Sequence, residues 1–124
     1  MPNASEGEVM DLRTRTKQFA LRIIRVHGAL PNGPISWTLG KQLLKSGTSV
    51  GAHYRESVRS RSDAEIISKW EGALQELDET EYWLELLAES GLLSESSLAP
   101  LMQECNELIA ILTTCVKKVK ARGG

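Results

Sequence analysis

Gly47-Thr-Ser-Val-Gly51 has the Gly-x-Ser-x-Gly spacing of a nucleophile elbow, in which a tight strand-to-helix turn presents a serine to an acid and a histidine later in the chain. That chemistry needs a strand before the serine. Here the pentapeptide lies inside a helical pattern, and the only histidine after Ser49 is His53, one turn away. Hydrolysis is therefore not expected. A di-iron bundle would need Glu-x-x-His pairs, which place carboxylate and imidazole on one helical face, and neither His27 nor His53 has a glutamate three residues before it. There is no phosphate loop, dinucleotide fingerprint or zinc spacing. The expectation is a non-catalytic protein with no metal and no cofactor.

Charge is more informative than catalytic motifs. The net charge of the 124 residues is −1, yet residues 11–61 carry ten Lys or Arg against Asp11 and Glu56, while residues 62–124 carry five basic and twelve acidic side chains. Such asymmetry marks either a polyanion-binding half or two halves that attract one another on folding or assembly. Projecting residues 39–60 at about 100° per residue separates three stripes. Lys41, Lys45, Arg55 and Arg59 lie roughly opposite the apolar face, where they form either a solvated surface or a phosphate-contacting one. Arg15, Arg22 and Arg25 make a similar stripe on the first helix, and a ring of copies would multiply both. Between the basic and apolar faces run Gln42, Ser46, Ser49, His53, Glu56 and Ser60. These are small polar residues in seam positions, so they either hydrogen-bond to a neighbouring helix or form an ordinary wetted boundary.

The elements that carry these residues are helices. Ser5 with Glu8, and Ser62 with Glu65, have capping-box spacing. The stretch Gly28-Ala-Leu-Pro-Asn-Gly-Pro34 and Gly91 read as stops, Ser94 to Ser97 as a further cap, and Pro100 as tolerable in a first turn. The helices are placed at about 6–27, 36–60, 63–90 and 97–120 of a single domain spanning residues 1–124. Each has one apolar stripe: Leu12, Phe19, Ile23 and Val26; Leu39, Leu43, Val50 and Tyr54, extended by Gly47, Gly51 and Val58; Ile66, Trp70, Leu77, Leu84 and Leu87; and Leu98, Leu101, Cys105, Leu108, Leu112, Cys115 and Val119. The fold class is all-α, a four-helix bundle, and short loops favour an up-down arrangement. Gly40, Gly47 and Gly51 each cost about 1 kcal/mol in a helix interior, which close backbone approach at a packing contact would explain.

Tyr82, Trp83 and Leu86, with the run Ile109 to Leu112, present more apolar surface than one bundle interior should absorb, which points to a homo-oligomer. Glu81 falls within the apolar arc of the third helix and should find a partner there, such as His53, Ser46, Ser49 or an arginine of another copy. His27 reads as a cation at a helix C-terminus or a core-edge residue. Cys105 and Cys115, roughly 15 Å apart along one helix at 1.5 Å per residue, read as reduced core thiols. No apolar run approaches a membrane span, and the expected compartment is the cytoplasm.

The segments Gln42-Leu-Leu-Lys-Ser-Gly-Thr-Ser-Val-Gly-Ala-His-Tyr-Arg-Glu56, Arg59-Ser-Arg-Ser-Asp-Ala-Glu65 and Glu76-Leu-Asp-Glu-Thr-Glu-Tyr-Trp-Leu84 resemble the four helix bundle protein family, which includes proteins encoded in intervening sequences of bacterial 23S ribosomal RNA genes. The likeness covers about residues 11–119. His53 departs from the pattern, which most often has Asn there. Ser49, Glu56 and Glu76 match it, without an assigned catalytic role. The resemblance implies an antiparallel left-handed bundle, a homopentameric ring, and kinship in fold with the accessory protein of diversity-generating retroelements. That kinship brings RNA or DNA, and a reverse transcriptase or other nucleic-acid enzyme, as candidate partners. The expected function is a nucleic-acid-binding accessory protein; the alternative is a protein-interaction or assembly module that binds no nucleic acid.

Overall fold

Four α-helices and no strands make up the described residues: α1 (Ala4–Gly28), α2 (Pro34–Val58), α3 (Asp63–Glu89) and α4 (Glu95–Gly123). The computed structural model describes the backbone of residues 4–123 and the side chains of residues 12–122, so the Ser5–Glu8 capping box lies outside the described side chains.

The helix ends differ from the expected ones for local reasons. Helix α2 opens at Pro34 because proline fits the first helical position, where its missing N–H costs nothing, and Gly33 before it adopts φ 148°, a region that strains an L side chain. It stops at Val58, where the Arg59 N–H turns back to the Glu56 carbonyl at 3.1 Å. Ser62 caps α3 as its spacing predicts, accepting from the Glu65 N–H at 3.1 Å. The Glu65 carboxylate returns to the Arg61 N–H at 2.9 Å, one residue earlier than in the standard box. Ser94 caps α4 by accepting from the Ser97 N–H at 3.3 Å, which starts that helix at Glu95 and puts Pro100 in its second turn.

Helix α2 packs extensively on both α1 and α3, and α3 on α4, whereas the α1–α4 boundary is the least extensive of the four. The predicted stripes supply the core. Leu12, Phe19, Ile23, Leu43, Val50, Leu77, Leu84, Leu87, Leu108 and Leu112 are fully buried, each worth about 2 kcal/mol of transfer free energy. Close approach of α2 to its neighbours explains Gly40, Gly47, Gly51 and Gly72. A Cβ at Gly47 would stand 2.6 Å from Ile23 Cγ1 on α1, and one at Gly72 on α3 would stand 3.2 Å from the His53 ring on α2.

Val58 does not extend the apolar face: it is 63% exposed, and Ser57, three residues after Tyr54, takes the buried position against α3. Nor does α3 carry the expected apolar excess. Trp83 packs half-buried on the core together with Ile109 and Ile111, Leu86 is half-buried, and Leu112 is fully buried, which leaves Tyr82 as the exposed member of the group. The Tyr82 and Trp83 rings are tilted at 60° with centroids 5.1 Å apart. The other exposed large hydrophobic side chains among the described residues lie on α1 and α2, at Leu21, Ile24, Ile35, Trp37 and Val58.

Neither cysteine forms a disulfide with the other, and both are buried. Burial pushes the Cys105 thiol up to about 12, with the charges of Glu81, Asp78 and Glu104 adding to the shift. The thiol therefore stays protonated and unreactive, its sulfur 3.4 Å from the Leu77 carbonyl.

Candidate nucleic-acid interface

Lys41, Lys45, Arg55 and Arg59 project from the outer face of α2, all exposed and none in a salt bridge with a described residue. They stand opposite Leu43, Val50 and Tyr54 because the buried positions recur every three or four residues and leave the far side to solvent. Two depressions run along the boundary with α1. Arg13 of α1 joins Arg55 and Arg59 around the first, of about 270 Å³, which Glu56 and Val58 also line. The second, of about 370 Å³, has Thr16, Ala20, Thr48, Gly51 and Ala52 as a floor of small side chains, with Lys17 and Arg55 at its rim. Three guanidinium groups and a lysine thus border one shallow surface, an arrangement suited to polyanions.

The α1 cations on this surface are Arg13 and Lys17, not Arg15, Arg22 and Arg25. Arg15 faces α4, where it bonds Glu104 at 2.6 and 3.1 Å and lies 3.4 Å from Glu107. These acidic neighbours hold its guanidinium charged, its pKa raised by the Glu104 hydrogen bond against some burial. Arg22, seven residues on, lies half-buried on the same helical flank, and Arg25 is exposed in the last turn. Arg13 and Lys17 could have been found in the sequence. They lie on the flank of α1 that also carries Thr16 and Ile23, the residues that meet Gly51 and Gly47.

The small polar stripe of α2 packs against α3. The Thr80 hydroxyl donates to the Ser46 hydroxyl at 2.8 Å, deep in the boundary. Glu56 pairs with Lys69 at 2.6 Å across the exposed edge; that hydrogen bond and charge hold its carboxyl below the usual range. The Trp70 indole donates to Ser57 at 2.8 Å beside the stripe. The Ser49 hydroxyl is engaged with the Lys45 carbonyl of its own helix at 2.6 Å. The His53 ring is laid against Gly72, and its buried Nδ1 makes no hydrogen bond with the described residues. Burial raises the pKa of Glu76, as does Glu79 nearby, while His53 and Lys45 pull it down.

Glu81 is not part of that seam. It lies on the side of α3 that meets α4, within electrostatic reach of Cys105, because a position four residues after Leu77 falls on the other flank of the apolar arc from Ser46, Ser49 and His53. Burial raises its pKa, and Glu85 and Asp78 raise it further. Among the described residues no cluster of three or more His, Cys, Asp or Glu could hold a metal, and no helix is long and apolar enough to cross a membrane.

The profile of the 23S rRNA-intervening sequence protein family matches residues 8–114. The chain belongs to that family. A crystal structure of a protein of unknown function from the S23 ribosomal protein family, from Bacteroides thetaiotaomicron, superposes with a TM-score of 0.81 at 34% identity, covering 86% of this chain and 98% of that one. No curated protein matches. The four-helix fold and the family thus agree with the resemblance read from the α2 and α3 segments, and the solved relative brings no activity with it.

Proposed function

We propose that this chain is a non-catalytic, homo-oligomeric accessory protein of the cytoplasm that binds RNA or DNA through the outer face of α1 and α2. The observation that carries this reading is the gathering of Arg13, Lys17, Lys41, Lys45, Arg55 and Arg59 on one surface, with no salt bridge to any described residue. Of the acidic side chains beside them, Glu56 is committed to Lys69, and Glu76 lies within electrostatic reach of Lys45 without a salt bridge to it. Binding to phosphates from such a surface is independent of sequence and weakens steeply with salt.

An antiparallel up-down bundle is part of the same proposal. It is supported by pairs that run in opposite directions along neighbouring helices, Gly40 with His27, Gly47 with Ile23 and Gly51 with Thr16 between α1 and α2, and Ser46 with Thr80 and Ser57 with Trp70 between α2 and α3. The left-handed twist, the ring of five copies and a reverse transcriptase or similar enzyme as protein partner follow from the family kinship. A ring would repeat the basic surface in every subunit and raise affinity for a long polyanion by multivalency.

Light scattering on the protein alone and with RNA, beside a shift assay at low salt, tests the reading. A mass several times 13.7 kDa and a salt-sensitive shift are expected. A monomeric mass removes the oligomer, and no shift with RNA or DNA at about 50 mM salt removes the nucleic-acid reading.

A second reading, an assembly module without nucleic acid, is favoured by α3. The charges of Glu85 and Asp78 add to the burial that raises the Glu81 pKa, beside the exposed Tyr82, and none of the three is in a salt bridge with a described cation. That acidic, aromatic face is complementary to the basic one. Under this reading, pull-down recovers protein and no nucleic acid.

A further inference from the structure

Of the three tryptophans, Trp70 and Trp83 pack against the core, whereas Trp37, near the start of α2, is 66% exposed. An indole left in water forgoes a large burial energy, so a position of this kind marks a surface that meets something. Its place on the helix says what. Lys41 follows Trp37 by four residues and Arg55 by eighteen, five complete turns, so all three share the outer face of α2 with Lys45 and Arg59. Along the axis the distance from Trp37 to Arg55 is roughly 27 Å at 1.5 Å per residue. The aromatic ring therefore stands at one end of the basic tract.

Trp37 also forms one wall of a depression of about 260 Å³ at the α1–α2 turn, with His27, Leu30, Pro31, Asn32 and Ser36 around it. That is smaller than the roughly 300–1,000 Å³ of sites that enclose cofactor-sized ligands, and suits one flat ring system. Leu30 and Pro31 offer apolar surface, while the Asn32 amide, the Ser36 hydroxyl and the His27 ring can read polar edges. A flat apolar face beside hydrogen-bonding groups, at the end of a line of lysines and arginines, is the chemistry of base stacking coupled to phosphate binding.

We propose that Trp37 is a stacking platform for an unpaired base, and that the ligand of the α1–α2 face is single-stranded nucleic acid. The inference rests on the nucleic-acid reading above and goes further in choosing the strand state. A duplex hides its base faces in the stack and offers Trp37 only a backbone, whereas a single strand can lay a base on the indole while its phosphates follow Lys41, Lys45 and Arg55.

The test uses the full-length protein, intrinsic tryptophan fluorescence, and matched short single-stranded RNA, single-stranded DNA and blunt duplex of one sequence. Binding of either single strand should quench indole emission, and the quench should vanish in Trp37→Ala. Without the stacked base, single-strand affinity should weaken about 5- to 150-fold. The slope of log affinity against log salt should stay unchanged, because stacking releases no counterions. Trp37→Phe should restore most of the affinity. RNA and DNA arms that behave alike assign the recognition to base and phosphate; RNA alone would add the 2′-hydroxyl. Failure of the wild-type protein to bind any nucleic acid at low salt overturns the functional reading and this inference with it. Single-strand binding that Trp37→Ala leaves intact, duplex binding as tight as single-strand binding, or a change of oligomer mass in Trp37→Ala overturns this inference alone. The last of these outcomes would place Trp37 between copies of the chain.

Discussion

Arg15 on α1 holds Glu104 on α4 through two hydrogen bonds, Nη2 to Oε1 at 2.6 Å and Nε to Oε2 at 3.1 Å, with about four-fifths of each side chain covered (21% and 18% exposed). Because α1 and α4 share the thinnest of the four helix boundaries, this fork closes the side of the bundle with the fewest other fastenings. Two parallel bonds to a carboxylate in a partly covered site are among the stronger polar interactions a protein makes. Arg15→Ala is expected to lower the unfolding free energy by about 2 kcal/mol in urea titration. Arg15→Lys should recover less than half of that, since an ammonium cannot reproduce the fork.

Gly47 and Ile23 set the distance between α2 and α1. A methyl at Gly47 would lie 2.6 Å from Ile23 Cγ1 and 2.8 Å from Cγ2, too close for any rotamer of isoleucine to relieve fully. Overpacking of this kind costs about 1–3 kcal/mol, against roughly 1 kcal/mol gained from alanine's helix propensity. Gly47→Ala should therefore destabilise the protein by up to about 2 kcal/mol on these figures. Removing both γ carbons in Ile23→Ala opens the space, so the double variant should be more stable than the sum of the single ones by at least about 1 kcal/mol. Additive effects in a double-mutant cycle would show that the helices do not meet at this point.

Periodicity alone identifies which side chains of each helix turn inward: most of those residues are buried, Val26, Leu39, Gly51, Ile66 and Trp70 are half-buried, and Val58 is exposed. It does not say which flank of a stripe meets which neighbour. Arg15 and Arg13 lie on opposite flanks of the Leu12–Phe19–Ile23 line, and only the order of the helices around the bundle decides that one grips Glu104 while the other borders Arg55 and Arg59. Glu81 falls on the α4 flank and not at the polar seam for the same reason. The glycines hold a partial answer. Gly47 and Gly51 mark the line where α1 approaches α2, and that line fixes which α1 cations share a surface with the α2 stripe. The apolar excess expected of α3 is an error of arc width: α3 is flanked by both α2 and α4, so Trp83 and Leu86 find cover that a single apolar stripe would not provide.

Glu81 carries a charge that its surroundings disfavour. Burial comes first and the like charges of Glu85 and Asp78 follow, so the folded protein binds a proton at Glu81 more tightly than the unfolded chain does. The sign follows directly: a raised carboxyl pKa makes the ionised group destabilising, a penalty that is absent at low pH and grows as pH rises past the ordinary value of 4.5. Glu81→Gln should stabilise the protein at pH 7 by at least the roughly 0.2–0.5 kcal/mol of one like-charge pair a turn apart. The gain should shrink to nothing as the pH is lowered through the carboxylate range. Stability curves of the two proteins that stay parallel from pH 7 to pH 4 would contradict the assignment.

The two flanks of α1 make opposite predictions for nucleic-acid binding. On the α2 flank, Arg13 lies with Arg55 and Arg59 around one depression and Lys17 with Arg55 around the next, and none of these cations is neutralised by a described residue. Removing one phosphate-binding cation there should reduce the slope of log affinity against log salt by about 1, so Arg13→Ala and Arg59→Ala together should lower it by about 2. On the α4 flank, the Arg15 charge is already matched by Glu104 and Glu107, and its removal frees no counterion from a bound strand. Arg15→Ala should therefore cost stability and leave the salt slope unchanged, while Arg13→Ala and Arg59→Ala do the reverse. Fluorescence anisotropy across a salt series, run beside urea denaturation of the same variants, separates the two flanks. A slope that falls equally for Arg15→Ala and Arg13→Ala would mean that the strand crosses both flanks and that the fork to Glu104 opens on binding.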